Sequence, residues 1–188
     1  MSKKLFTSDL HFFHNKIVEF TNRKEVTTQE NHEEWLLDLW NKTVNKGDIV
    51  YILGDLSFAK DIATTEKYLK KLHGQKIVIK GNHDKSKDLE VLQNNNTIVK
   101  YTDYSEIRVN SEHICMFHFP ISSWHKQRFG SWHLHGHSHG NFAETKGKML
   151  DVGIDSAYNI LGEHRLFTFE DIASIMSSKQ IVVNDTHR

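Results

Sequence analysis

Apolar residues recur along the chain at two different spacings, which predict an alternation of strands and helices. Segment 29–44, QENHEEWLLDLWNKTV, places Trp35, Leu36, Leu39, Trp40 and Val44 at helical spacing, and core packing best explains that face. Further helices are predicted over 61–72, 86–95 and 168–178, the last with Thr168 as its cap. Apolar runs predict strands over 3–9, 48–55, 97–109, 113–119 and 148–155. Two further strands are predicted, one at the start of 76–84 and one that leads into 137–139. We therefore expect residues 1–188 to form one α/β domain.

Composition disfavours several classes of partner. The 24 Lys and Arg residues balance the 24 Asp and Glu residues, so the chain lacks the net positive charge typical of proteins that bind long nucleic acids. No stretch reaches the length of a membrane span, and the start MSKKLFTSDLH does not resemble a signal peptide. The single cysteine, Cys115, suits a reducing compartment and is expected to be a buried thiol. Together these features predict a cytoplasmic protein with no membrane partner.

The chain contains 14 histidines, four of which lie in HLHGHSHG (133–140), and they suggest a metal site. Carboxylate, imidazole and amide side chains follow the ends of the predicted strands in five short motifs. These motifs are DLH (9–11), GD (54–55), GNHD (81–84), the histidine of FHFP (117–120), and GHSH (136–139). The carboxyl ends of strands in an α/β sheet commonly share one edge, so these side chains can converge. Nitrogen and oxygen donors without thiolate favour Mn²⁺, Fe or Zn²⁺, and seven such donors suit two ions that share a carboxylate.

In this order, the five motifs resemble those of the calcineurin-like metallophosphoesterase superfamily. The opening DLHFFHNKIVEFTNR is also similar to a small subgroup of bacterial and phage phosphoesterases. The resemblance implies a two-sheet β-sandwich flanked by helices. Hydrophobic periodicity by itself does not distinguish this architecture from a single open sheet.

The resemblance also implies two divalent ions and a set of site residues. It assigns the first ion to Asp9, His11, Asp55 and His139. It assigns the second ion to Asp55, Asn82, His118 and His137, so that Asp55 bridges the pair. His83 corresponds to the catalytic histidine of the family. Mn²⁺ is the expected metal, with Fe, Zn²⁺ and Ni²⁺ as alternatives.

The implied activity is hydrolysis of a small phosphodiester or phosphomonoester, with a nucleotide-type substrate favoured, through attack by a metal-bridging hydroxide. His83 would protonate the leaving oxygen or donate a hydrogen bond to the phosphoryl group. His14 and Arg23 are candidate substrate contacts, because arginine suits a phosphate. Asp84 could orient His83 or be a solvated loop carboxylate.

The remaining histidines of the HLHGHSHG segment are expected to lie on the strand that approaches the site. His133 is predicted to make no metal contact. For His135, two interpretations stay open: a hydrogen bond that supports a ligand, or a partly buried neutral imidazole.

Two other functions compete with a small-molecule phosphoesterase. A nuclease would use the same ions on DNA or RNA, and charge balance disfavours it. A non-catalytic scaffold of the same fold would be expected to have lost ligands or His83, which this sequence retains. Aromatic residues near the motifs could stack a nucleobase, although core packing is expected for most of them: Phe12, Phe13, Phe119, Trp124 and Trp132. The sequence does not determine the oligomeric state.

Overall fold

The computed structural model describes residues 2–14, 16–21, 23, 26, 31–141 and 146–182. Its strands are β1 Lys4–Thr7, β2 Ile49–Ile52, β3 Gln75–Ile79, β4 Lys100–Thr102, β5 Tyr104–Val109, β6 Glu112–Phe117, β7 Trp132–His135, β8 Met149–Asp151 and β9 Phe167–Thr168. Its helices are α1 Ile17–Phe20, α2 His32–Thr43, α3 Ile62–Leu69, α4 Ser86–Asn94, α5 Ile154–Leu161 and α6 Phe169–Ser177. A short 3₁₀ turn spans Gln127–Phe129. Among the described residues, no helix has the length and apolar character needed to cross a bilayer.

These strands form two sheets, as the resemblance implies. The first sheet has the order β4-β3-β2-β1-β9, and its first four strands run parallel while β9 is antiparallel to β1. The second sheet has the order β5-β6-β7-β8, with β6, β7 and β8 parallel and β5 antiparallel to β6. The fold class predicted from the sequence is therefore confirmed.

Both faces of the first sheet are buried, which explains its nearly continuous apolar strands. Leu5 and Val50 pack on one face against apolar residues of α2, α3 and α4. Phe6 and Tyr51, on the opposite face, pack between the two sheets with Met116 and other residues of the second sheet and α6. Because side chains alternate along a strand, neighbouring residues serve the two cores in turn.

The structure divides one predicted strand and shortens others. Segment 97–109 was predicted as one strand, but β4 ends at Thr102 in the first sheet and β5 begins at Tyr104 in the second. The strand predicted over 3–9 ends at Thr7. The strand predicted over 148–155 ends at Asp151, and α5 begins at Ile154. Alternating polarity predicts an extended chain, but it carries no information on which sheet the chain joins.

The predicted helices agree well with the structure. Segments 61–72, 86–95 and 168–178 contain α3, α4 and α6. The predicted cap is present, because the Thr168 side chain accepts from the Asp171 N–H and Asp171 accepts from the Thr168 N–H. Helix α2 lies within 29–44, although residues 29 and 30 lie outside the described residues.

Candidate metal centre

The polar motifs lie in loops that follow the carboxyl ends of strands, along one edge where the two sheets meet. Asp9 follows β1, Asp55 follows β2 and Asn82 follows β3 in the first sheet. His118 follows β6 and His137 follows β7 in the second. Main-chain hydrogen bonds join these loops, from the Asp9 N–H to the Gly54 carbonyl at 3.0 Å and from the Gly136 N–H to the His118 carbonyl at 2.9 Å. The loops thus bring together motifs separated by up to 130 residues.

Backbone conformation in these loops departs from what the sequence suggests. Two residues apart, Asp9 and His11 would share one side of an extended segment, but both have left-handed backbone angles. Positive φ values occur at five residues of the set, Asp9 (56°), His11 (54°), Asp55 (55°), His137 (70°) and His139 (48°). Left-handed backbone is uncommon outside glycine and tends to cluster at functional sites.

Asp9 is fully buried, and one of its two carboxylate oxygens has no partner among the described residues. Its Oδ2 accepts from the Ser8 hydroxyl at 2.5 Å and from the His137 N–H at 3.0 Å. Its Oδ1 lies 3.8 Å from His11 Nε2 and 4.0 Å from His139 Nε2. Burial raises the pKa of Asp9, but the neighbouring imidazoles outweigh it and hold that pKa below its usual value. The carboxylate therefore has a free oxygen aimed at two imidazoles.

Asp55 lies between two imidazoles whose loops follow strands of different sheets. Its Oδ2 is 3.7 Å from His11 Nε2 and 3.6 Å from His118 Nε2. Its Oδ1 accepts from the His83 N–H at 3.0 Å. An acceptor in this position can serve two ions at once.

A second group of donors surrounds the Asn82 amide oxygen. This oxygen lies 2.8 Å from His118 Nε2 and 3.0 Å from His137 Nδ1. His118 Nδ1 lies 2.6 Å from the Leu53 carbonyl, which fixes the ring and directs Nε2 toward Asn82 and Asp55. All seven predicted ligands are thus brought together.

These contacts fit divalent ions better than they fit an ordinary hydrogen-bond network. Both ring nitrogens of buried His11 lack a hydrogen-bond partner among the described residues, as does Asp9 Oδ1. Unpaired buried polar atoms are costly unless something satisfies them. At this edge of the sheets, two groups of described residues meet the spacing expected of metal-holding side chains, namely Asp9 with His11 and His139, and Asp9 with Asp55 and His118.

Two glycines allow the loops to approach the carboxylates. A Cβ atom on Gly136 would collide with the Ser8 side chain and Asp9 Oδ2, and a Cβ on Gly81 would collide with Asp55. No larger residue fits these positions while the carboxylates stay in place.

His83 and His14 line the rim of the centre. The exposed His83 ring lies 6.1 Å from the His11 ring and 4.8 Å from the Phe58 ring, centroid to centroid. His14 packs edge-on against Phe58 at 4.4 Å and lies 5.3 Å from His11. A cavity of about 350 Å³ opens beside His83 and is lined by Phe58, Ile62 and other residues of α3, α4 and the loop before α3.

Arg23 does not reach the rim, contrary to the predicted substrate contact. Its side chain is fully buried and forms a two-point ion pair with Asp155, at 2.9 Å from Nε to Oδ1 and 3.1 Å from an Nη to Oδ2. The remaining guanidinium contacts are the carbonyls of Asp9 and Leu10, at 2.8 and 3.1 Å, and His32 Nε2. Because these protein groups already accept hydrogen bonds from the guanidinium, Arg23 has a structural role next to the candidate metal centre.

Asp84 is neither a solvated carboxylate nor an orienting partner for the His83 ring. Its two oxygens accept from the main-chain N–H groups of Asp55, Leu56 and Gly81, at 2.8–2.9 Å. Burial raises its pKa. Asp84 therefore ties the loop after β3 to the loop after β2.

His133 and His135 are fully buried on β7. The ring nitrogens of His133 contact main-chain atoms of Cys115, Phe119 and Ile121, at 3.2–3.4 Å, and burial lowers its pKa to about 3. His135 Nδ1 lies 2.9 Å from the Gly136 carbonyl, and burial lowers its pKa. Burial therefore favours the neutral form of both imidazole rings.

Comparisons with known proteins identify the family of this chain. The family model for calcineurin-like phosphoesterases matches residues 3–187. The chain belongs to this family. Members are typically metal-dependent phosphoester hydrolases, and they usually bind two divalent ions.

Three proteins that are similar to this calcineurin-like phosphoesterase have names that state no activity. An uncharacterized protein of Methanocaldococcus jannaschii is 32% identical over 162 residues, covering 82% of this chain and 83% of the relative. The gene 66 protein of Mycobacterium phage D29 is 29% identical over 187 residues, covering 86% and 92%. A crystal structure of a protein of unknown function from Aquifex aeolicus has a TM-score of 0.71 at 21% identity, covering 93% of this chain and all of that one, which shows a shared fold.

Sequence reasoning missed two acidic residues that support this centre. Asp155 Oδ2 lies 2.7 Å from His139 Nδ1, which turns Nε2 of that ring toward Asp9. Despite burial, Arg23 and His139 hold the pKa of Asp155 far below its usual range. Asp151 accepts from the Ser138 hydroxyl and the N–H groups of Gly140 and Gly153. The helical spacing of Ile154, Ala157, Tyr158 and Leu161 before Gly162 could have revealed α5, which carries Asp155.

Proposed function

We propose that this chain is a phosphoesterase that hydrolyses a small phosphate ester at a centre of two divalent ions. The observation that supports this most strongly is Asp55 Oδ2, which lies between imidazoles of the two donor groups. Asp9 Oδ1 and both ring nitrogens of His11 have no hydrogen-bond partner in the described part of the chain, which supports an ion beside them.

In this proposal the two groups of donors hold one ion each. The ligands of the first ion are Asp9, His11, Asp55 and His139, and those of the second are Asp55, Asn82, His118 and His137. Imidazole, carboxylate and amide donors favour Mn²⁺, with Fe, Zn²⁺ and Ni²⁺ as alternatives. Two such ions supply charge neutralisation for phosphoryl oxygens and lower the pKa of water, so that a nucleophile is available near neutral pH.

His83 is the proposed proton donor to the leaving oxygen. Its exposed ring lies at the rim, and the bond from its N–H to Asp55 Oδ1 fixes its main chain beside the proposed bridging ligand. A donor placed there can reach an oxygen that departs toward the adjoining cavity. Asp84 contributes indirectly, because it holds the loop that carries His83.

The surroundings of the centre favour a small substrate, such as a nucleotide ester. The cavity beside His83 has a volume of about 350 Å³, which suits part of a small molecule. Lys60 and Lys85 line that cavity and could neutralise a second phosphate. Next to the second group of donors, the exposed Phe119 ring lies 4.6 Å from the His137 ring, where a base could stack. His14 remains a candidate substrate contact at the rim.

The decisive experiment measures bound metal and hydrolysis in the same preparations. The wild-type chain should bind two ions at the centre and hydrolyse a nitrophenyl phosphodiester with Mn²⁺. Asp55→Ala should lose both ions and activity, because each group of donors loses its shared carboxylate. An Asp55→Ala chain that still binds two ions there and turns over substrate would refute the two-ion assignment.

His83→Ala separates proton donation from metal binding. We expect the ions to stay bound while the rate falls by roughly 10²–10⁴-fold. The loss should be larger on a nucleotide ester than on a nitrophenyl ester, because nitrophenolate departs without a proton. Equal losses on both esters would favour a phosphoryl contact, and loss of an ion would make His83 a ligand. Steep salt dependence of activity on DNA or RNA would favour a nuclease instead.

A further inference from the structure

The second sheet carries another group of metal-binding side chains, on the face that points away from the inter-sheet core. Glu106 on β5 lies directly opposite Cys115 on β6. His113 precedes Cys115 by two residues and so shares its face of the strand. His125 comes from the loop between β6 and β7, and Ile121 and Trp124 of that loop pack with Cys115 on this face. We call these four residues the Glu106 cluster.

The donor atoms of the Glu106 cluster converge. Glu106 Oε2 lies 2.7 Å from His113 Nε2 and 2.8 Å from His125 Nδ1. The two imidazole rings are 5.2 Å apart and almost perpendicular. The donor atoms of Glu106, His113 and the buried Cys115 lie within 4.8 Å of one another.

The same convergence occurs at the candidate metal centre. There, two imidazole nitrogens lie 2.8 and 3.0 Å from the single oxygen of Asn82. The difference is the donor chemistry, because the Glu106 cluster adds the only thiol of the chain. Imidazole, carboxylate and thiolate are all ligands of Zn²⁺, which usually takes four of them.

We propose that the Glu106 cluster binds one Zn²⁺ ion, separate from the two ions of the phosphoesterase centre. Glu106, His113, His125 and Cys115 are the four ligands, and the Cys115 thiol releases its proton to solvent on binding. Four protein ligands would leave no open position on the ion, so the site would serve structure rather than catalysis.

The position of His125 indicates what this ion would stabilise. His125 lies in segment 118–131, which begins with His118, a proposed ligand of the catalytic pair. The His125 carbonyl accepts from the Ser131 hydroxyl at 2.6 Å and lies 3.5 Å from Cys115 Sγ. An ion held by the His125 side chain would fasten this segment to β5 and β6. The zinc site would thereby restrict the motion of the loop that carries His118 and Phe119.

Cobalt substitution of the full chain tests this site without interference from the other centre. After chelator treatment, Co²⁺ is added while thiolate-to-cobalt charge-transfer absorption and total bound metal are measured. Because Cys115 is the only cysteine, that absorption reports on the Glu106 cluster alone. We expect the absorption to appear, and excess Zn²⁺ to remove it.

Variants assign the ligands. Cys115→Ser should abolish the absorption. His125→Ala should remove one equivalent of metal, and it is a safer variant for folding because the His125 side chain is 55% exposed. Asn82→Ala should keep the absorption. Glu112→Gln, on the opposite face of β6, is the matched carboxylate control and should also keep it.

Two outcomes would overturn the proposal. One is the absence of thiolate absorption when Co²⁺ has already filled the catalytic centre. The other is absorption that survives unchanged in both His125→Ala and Glu106→Gln, because Cys115 would then bind metal without its proposed partners.

Discussion

Arg23 and Asp155 form a buried ion pair directly behind the candidate metal centre, and its removal gives a sharp test of how the site is supported. The two side chains are 0% and 4% exposed and make two parallel hydrogen bonds. Asp155 also holds His139, and Arg23 also holds the Asp9 carbonyl. The pair therefore connects two proposed ligands of the first ion.

Arg23→Met removes the guanidinium and leaves the buried Asp155 carboxylate with His139 as its one remaining charged partner among the described residues. Breaking a buried pair on one side typically costs about 3–5 kcal/mol of folding free energy. For a domain of this length, each kcal/mol lowers Tm by roughly 2–4 °C, so we expect a fall of roughly 6–20 °C.

The assay is thermal unfolding followed by circular dichroism, with metal chelated because bound ions would add their own stabilisation. Arg128→Met is the matched control, since Arg128 is exposed and should change the unfolding free energy by less than about 0.5 kcal/mol. The Arg23→Met/Asp155→Asn double variant should lose less stability than the sum of the two single variants, because it leaves no unpaired charge.

The opposite pattern would refute this reasoning. If Arg23→Met unfolds within about 2 °C of the wild type while KM rises several-fold, then Arg23 contacts the substrate. The predicted substrate contact of Arg23 would then be correct, and the buried position of its side chain would be wrong.

Three further predictions follow from individual side-chain contacts. His137→Ala should lower bound metal, whereas His133→Ala should leave metal content and rate nearly unchanged, and equal losses by metal analysis would contradict the placement of these rings. Asp84→Asn should cost about 1–3 kcal/mol in urea unfolding, since an amide cannot accept from all three N–H groups, and an unchanged midpoint would argue against that role. The hydrogen bonds from Arg165 lower the pKa of Asp171 to about 2, so its contribution to stability is complete above about pH 4 and lost as pH falls toward 2. Asp171→Asn should therefore flatten the acid limb of a stability–pH curve, and a limb of unchanged steepness would contradict the assignment.

The sequence determined the architecture and the set of candidate ligands to a considerable extent. Apolar periodicity predicted α3, α4 and α6, because each buries one face against a core. The ordered motifs from Asp9 to His139 indicated the family and, through it, the two-sheet fold. This information is local, because the side chains of a motif of two to four residues have the same chemistry wherever the fold places them.

Tertiary structure decided everything that depends on partners distant in sequence. The run 97–109 is uniformly extended in pattern, yet it crosses from one sheet to the other at Asp103, because alternation specifies faces and not neighbours. Arg23 resembles a phosphate contact until Asp155, 132 residues later, is found to occupy it. Asp84 resembles a loop carboxylate until three main-chain N–H groups are found on its oxygens. A side chain's chemistry can be read from its type, but whether protein or substrate satisfies that chemistry depends on burial and on the groups that folding brings to it.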